Sequence, residues 1–63
     1  MIRVQAYIVG QTGDIYHVET LTEGHDAPRQ HNIVAKSEDE AAMSAIRRAE
    51  ETEEMLQNAV RLN

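Results

Sequence analysis

The sequence has no cysteine, no tryptophan and no phenylalanine, and it contains only two tyrosines. Without cysteine the chain cannot use disulfides, which are a common way of stabilising a small domain. The scarcity of aromatic side chains limits the volume of the core, since these side chains bury the largest apolar areas. The 63 residues (1–63) are enough for a single domain, and a domain of this size is only marginally stable alone. We therefore expect stabilisation by a second copy or by another protein.

Long apolar runs are also missing. No segment approaches the roughly 20 apolar residues that cross a bilayer. The first residues, MIRVQAYIVG, lack the apolar length and the small-residue cleavage site of a signal peptide. We expect a soluble, cytoplasmic protein without a membrane partner, and the absence of cysteine is compatible with that compartment.

Negative charge is plentiful and unevenly distributed. The net charge is −5, from eleven acidic and six basic residues. Residues 37–63 contain seven of the acids and three of the bases, so they carry −4 of that charge. Binding to nucleic acid or to an anionic membrane is disfavoured, because both require a basic surface. A protein with a basic surface is the more natural partner.

The first 36 residues have the pattern of a β-meander. Residues 2–9 alternate between apolar and polar, which predicts a half-buried strand, and 15–22 continue the pattern after the turn-forming segment 10–14. In the register that we predict, Ile8 lies opposite Tyr16, and Tyr7 lies opposite His17. A loop at 23–31 and a short third strand at 31–36 complete the meander.

A single long helix is predicted over residues 37–62. Ser37 followed by Glu40 forms a capping box, and acidic residues in the first turn suit the helix dipole. The apolar positions recur at helical spacing, and they are Ala42, Ala45, Ile46, Ala49, Leu56, Ala59 and Val60. The predicted fold is α+β, a three-stranded antiparallel sheet (β-β-β-α) covered on one face by the C-terminal helix.

Glu53 lies on the apolar line of this helix, where a carboxylate is unexpected. A helix of about 37 Å is longer than strands of about 26 Å, so we expect its end to project beyond the sheet with Glu53 at the border. A break near Thr52 is the alternative. We predict two functional sets on this segment. Glu50, Glu51, Glu53 and Glu54 would bind a partner, and Met55, Leu56, Ala59, Val60 and Leu62 would form a homodimer interface. For the glutamates, a solvated helix face without a partner is the alternative.

Other constellations are less suggestive. His17, His25 and His31 lack the close spacing of zinc ligands, so neither a metal nor another cofactor is expected. Nothing resembles a nucleophile with an oriented base, and we predict that the protein is not an enzyme. Arg47 and Arg48 precede Glu50 and Glu51, which favours local ion pairs. The alternative function is nucleic-acid binding on the exposed sheet face, through Arg3, Gln5, Tyr7 and His17.

The segment VAKSEDEA, residues 34–41, joins the meander to the helix. A small acidic chain with this order of elements resembles accessory proteins of bacteriophages and mobile elements, among them the anti-CRISPR proteins. That resemblance implies an inhibitor that binds a host defence complex. The residues themselves predict a non-catalytic protein-binding module with an acidic helix surface. The resemblance implies that this module is a phage-encoded inhibitor or modulator of a host protein or defence complex.

Overall fold

A computed structural model describes residues 3–61, with the side chains of residues 3–59. The elements are β1 (Val4–Thr12), β2 (Ile15–Thr22), β3 (Arg29–Val34) and α1 (Glu38–Arg61). The strands form an antiparallel sheet in the order β1-β2-β3, and α1 packs against one face. The predicted α+β fold is confirmed. In the described part of the chain no helix is long and apolar enough to cross a membrane.

The predicted register between β1 and β2 is wrong by two residues. Ile8 pairs with Val18 and Tyr7 with Glu19. β1 continues through Gly10 to Thr12, so the connection has only two residues, with Gly13 at its first position at φ 58°. A bulge after Ile8 absorbs the extra residue. The shift is even, so each side chain stays on its predicted face. The third strand begins and ends two residues earlier than predicted.

The core lies between the central strand and the helix. Val18 and Ile33 are buried on the sheet side, together with most of Tyr16. The helix contributes a line of three fully buried alanines at a spacing of four, namely Ala41, Ala45 and Ala49. Ala42, which we predicted on this line, is only partly buried. Ala41, and not Ala42, lies four residues before Ala45 and therefore on the same face of the helix. All three strands contact the helix, and the small alanine side chains allow that close approach.

The start of α1 confirms the capping box. The backbone N–H of Glu40 donates a hydrogen bond to Ser37 Oγ at 3.2 Å. In return the Glu40 carboxylate accepts a hydrogen bond from the backbone N–H of Lys36, also at 3.2 Å, one residue before the N-cap. The Ser37 hydroxyl therefore satisfies one of the free N–H groups at the start of the helix.

The helix continues unbroken past the sheet, so the alternative of a break near Thr52 is wrong. The side chains of residues 54–59 are all exposed, and the molecule measures 43 × 19 × 17 Å along its principal axes. The long axis reflects a helix of about 36 Å. We call residues 54–61 of α1 the helical extension.

Candidate functional site

Glu53 occupies the next position of the alanine line, four residues after Ala49, and it is not a fault in the pattern. Its side chain is only 16% exposed. The Oε2 atom lies 2.7 Å from His25 Nε2, in the loop between β2 and β3, and 4.0 Å from a terminal nitrogen of Arg29 at the start of β3. The carboxylate thus joins the helix to the end of the sheet at the point where apolar burial stops.

The four glutamates that we predicted to bind a partner are therefore not equivalent. Glu50, Glu51 and Glu54 are exposed, whereas Glu53 is turned inward to His25. Partner binding by any of them stays a prediction. Only the three exposed carboxylates present their charge to solvent.

Two large apolar side chains accompany these carboxylates. Met55 is 71% exposed and Leu56 is 48% exposed. Leu56 follows Ala49 by seven residues, which places it on the sheet-facing side of the helix but beyond the sheet. Ala59 is also exposed, while the side chain of Val60 and the whole of Leu62 lie outside the described residues. We define the acidic helix surface as Glu50, Glu51, Glu54, Met55 and Leu56.

A cleft of about 710 Å³ opens beside this surface, at the end of the sheet. Val4, Leu21 and Ile46 form apolar parts of its wall, and Glu50 lies on its rim. Arg3 and Glu23 also line the cleft, so the recess beside the acidic helix surface contains charges of both signs.

The other face of the sheet is uncovered, and it contains the residues of the alternative nucleic-acid site. Tyr7 is exposed there, and its hydroxyl donates a hydrogen bond to Gln5 Oε1 at 2.6 Å. The cross-strand neighbour of Tyr7 is Glu19 and not His17. A carboxylate beside the exposed ring opposes the approach of phosphate, since such platforms depend on positive charge.

His17 ties the three strands together on that face. Its Nδ1 lies 2.8 Å from Asn32 Oδ1 on β3, and its Nε2 lies 3.0 Å from Thr12 Oγ1 on β1. A neutral ring with the proton on Nδ1 satisfies both contacts, donating to the amide and accepting from the hydroxyl. The ring lies beside Gly10, where an added Cβ would be in van der Waals contact with its Cδ2 at 3.4 Å. The His17 side chain on β2 is therefore linked by hydrogen bonds to both neighbouring strands.

His31 lies under the helix, on the opposite face. Its Nε2 is 2.8 Å from Thr20 Oγ1 on the central strand. Burial lowers the pKa of His31 below its usual value of 6.5, and the positive charges of Arg48 and Arg29 lower that pKa further. The neutral ring is therefore the form that the fold favours.

The three histidines are dispersed among different contacts. Among the described residues, no group of three His, Cys, Asp or Glu side chains could hold a metal ion. The predicted local ion pairs of Arg47 and Arg48 with the following glutamates are wrong. In the part of the chain described, the ion pairs within 4.0 Å are those of Glu53 with His25 and Arg29. Exposed pairs on a helix gain too little to hold two long side chains in one geometry.

Comparisons with protein-family models, with curated proteins and with solved structures give no match to this chain.

Proposed function

We propose that the chain is a non-catalytic protein-binding module that acts through its acidic helix surface. The observation that carries the proposal is the helical extension, whose described side chains, residues 54–59, all lie in solvent beyond the sheet. A helix that only covered the sheet would end near Glu53, where burial ends. Met55 and Leu56 add exposed apolar area to this segment, and contiguous exposed apolar area is typical of interaction sites.

The chemistry of this surface favours a basic partner. Glu50, Glu51 and Glu54 place negative charge on the helix beside Met55, while Leu56 lies on the sheet-facing side of the same segment. This charge attracts a basic groove and speeds association. The same carboxylates oppose the packing of two such surfaces on each other, so we assign the surface to a host protein in the cytoplasm. The homodimer that we predicted through Met55 and Leu56 is the less favoured occupant. The protein would inhibit or modulate its partner by filling the groove.

A double charge reversal tests this proposal. Glu50→Lys with Glu54→Lys removes two attractive contacts and replaces them with repulsive ones, so we expect binding to the partner to weaken at least about 100-fold. The measurement is capture from a lysate of the native host, identification of the retained protein, and titration of that purified protein at several salt concentrations. Screening by salt should weaken the wild-type interaction.

The matched control reverses two exposed carboxylates at the opposite end of the molecule, as Asp14→Lys with Asp39→Lys. It changes the net charge equally and should leave binding within about twofold. A partner that binds the Glu50 and Glu54 variant as tightly as the wild type would eliminate the acidic helix surface as the contact.

A further inference from the structure

The outer edge of β3 carries hydrogen-bonding groups that the fold does not use. The backbone N–H of Ala35 donates to Asp14 O at 3.3 Å, which extends the ladder between β2 and β3 by one pair. Hydrogen-bonded and non-bonded pairs alternate in an antiparallel ladder. The odd-numbered residues of β3 therefore direct their backbone groups toward β2. The even-numbered ones direct them outward, and these are Gln30, Asn32 and Val34.

The contact at the other side of the sheet agrees with this assignment. The N–H of Glu23 donates to Arg3 O at 2.9 Å, so the odd-numbered residues of β2 after the bulge pair with β1. The even-numbered residues of β2 then form their hydrogen bonds with β3, which agrees with the hydrogen bond between Ala35 and Asp14.

The two edges of the sheet differ in how well they are protected. The bulge after Ile8 ends the regular row of outward groups on β1, which is Val4, Ala6 and Ile8, and a bulge of this kind twists an edge away from a partner strand. β3 has no register shift, and Pro28 precedes it without interrupting it. The three residues that present outward groups carry no charge, and Val34 is 74% exposed. An uncharged regular edge is a template for another strand.

We propose that β3 pairs antiparallel with β3 of a second copy, with Asn32 opposite Asn32 of that copy. The result is a continuous six-stranded sheet with both helices on the same face, related by a two-fold axis perpendicular to the sheet. The interface is isologous, as in most homodimers. It leaves the acidic helix surface free in both copies, so it does not depend on the proposed function.

The register follows from the direction of the backbone groups. Residues that face each other must lie on the same side of the sheet, so even-numbered residues pair with even-numbered ones. With Asn32 on the axis, Gln30 lies opposite Val34 and all three outward residues exchange hydrogen bonds in pairs. Centring the contact on His31 instead would place the two rings opposite each other. It would also bring Pro28, which has no N–H, opposite Val34.

The side chains that meet in this register are compatible. Val34 gains contact with the Gln30 side chain, and on the helix side Ile33 lies opposite His31. Arg29 lies opposite Ala35, so no like charges face each other across the axis. The charge of −5 on each chain lies mostly on the helix, and the two helical extensions point to opposite ends of the assembly. This complementarity of the edge with itself identifies a second copy as its occupant.

Sedimentation equilibrium of the full chain tests the proposal. A contact of one short strand is smaller than a standard interface, so we expect a reversible monomer–dimer equilibrium. Asn32→Lys places two like charges opposite each other on the axis and should raise the dimer Kd at least about tenfold. Asn32→Ala also loses the contact with His17 but keeps the edge uncharged, and it should leave the Kd within about threefold. Gln5→Lys, on β1, should have equally little effect.

Cross-linking gives a second readout that does not depend on the stability of the lysine variant. The chain has no cysteine, so a single introduced thiol reports only on its own position. Opposed Cα atoms in a hydrogen-bonded pair are about 5.5 Å apart, which a disulfide can span. Asn32→Cys should form a covalent dimer under mild oxidation, and Gln5→Cys should not.

Three results would overturn the proposal. One is a monomer at every concentration up to about 1 mM, where even weak pairs associate. Another is a dimer whose Kd is unchanged by Asn32→Lys in a folded variant. The third is cross-linking of Gln5→Cys as fast as that of Asn32→Cys.

Discussion

Ala45→Asp should abolish the fold. Ala45 is fully buried at the centre of the alanine line, against the central strand. A carboxylate at this position would lose its hydration without gaining a partner, which costs several kcal/mol. A chain of 63 residues has a total stability of only about 3 to 9 kcal/mol. At about 25 °C, we expect the far-ultraviolet circular dichroism spectrum of the variant to be that of a largely unfolded chain.

Met43→Asp is the matched control for this substitution. It introduces the same charge two residues earlier on the same helix, at a side chain that is exposed. The free energy of unfolding should change by no more than about 0.5 kcal/mol. If Ala45→Asp unfolded with the same midpoint as Met43→Asp, the alanine line would not be the side of the helix that meets the sheet.

Ile33→Ala should have the second largest effect. Ile33 on β3 is 2% exposed and belongs to the cluster that includes Tyr16 and Val18. Removal of its side chain leaves a cavity, and such truncations cost about 2 to 5 kcal/mol. Chemical denaturation of the monomer should therefore show a free energy of unfolding that is lower than that of the wild type by about this amount.

The neighbouring residue supplies the control. Val34 points to the other face and is mostly exposed, so Val34→Ala should change the stability of the monomer by about 0.5 kcal/mol or less. Equal losses for the two variants would mean that the faces of β3 are assigned incorrectly.

Much of this fold could be predicted from residue patterns. The alternation in β1 and β2, the capping box at Ser37 and the helical spacing of the alanines are local signals, and each produced the expected element. The position of Glu53 at the edge of the sheet, where the helix begins to project beyond it, followed from comparing the helix length with the strand length. The outcome is a helix whose first half packs on the sheet and whose last turns lie in solvent.

The errors in prediction arose where a local pattern allows two solutions. The segment 10–14 could form a five-residue turn or continue the strand to a two-residue turn, and only the bulge after Ile8 reconciles the second with both apolar faces. Ala41 and Ala42 both suit a helix stripe, and the sheet selects the first. Neither choice is encoded by composition or spacing.

The partners of Glu53 could not be predicted for a different reason. His25 and Glu53 are separated by 28 residues, and their contact depends on how the loop between β2 and β3 folds over the end of the sheet. Two signals were nevertheless present, namely an acid on an apolar line and a histidine in a nearby loop. Because Glu53 contacts His25 and its neighbours Glu50, Glu51 and Glu54 are exposed, only these three carboxylates of the four are free to contact a partner.

Amide hydrogen exchange along α1 tests most directly whether the helix has one half for the fold and one half for a partner. In the isolated monomer, amides near Ala45 and Ala49 should exchange only through global unfolding, because their turns pack on the sheet. Amides from Met55 to Arg61 should exchange at least about 100-fold faster, since local fraying suffices there. Protection that continues at the same level through Gln57 and Asn58 would contradict a solvent-exposed helical extension.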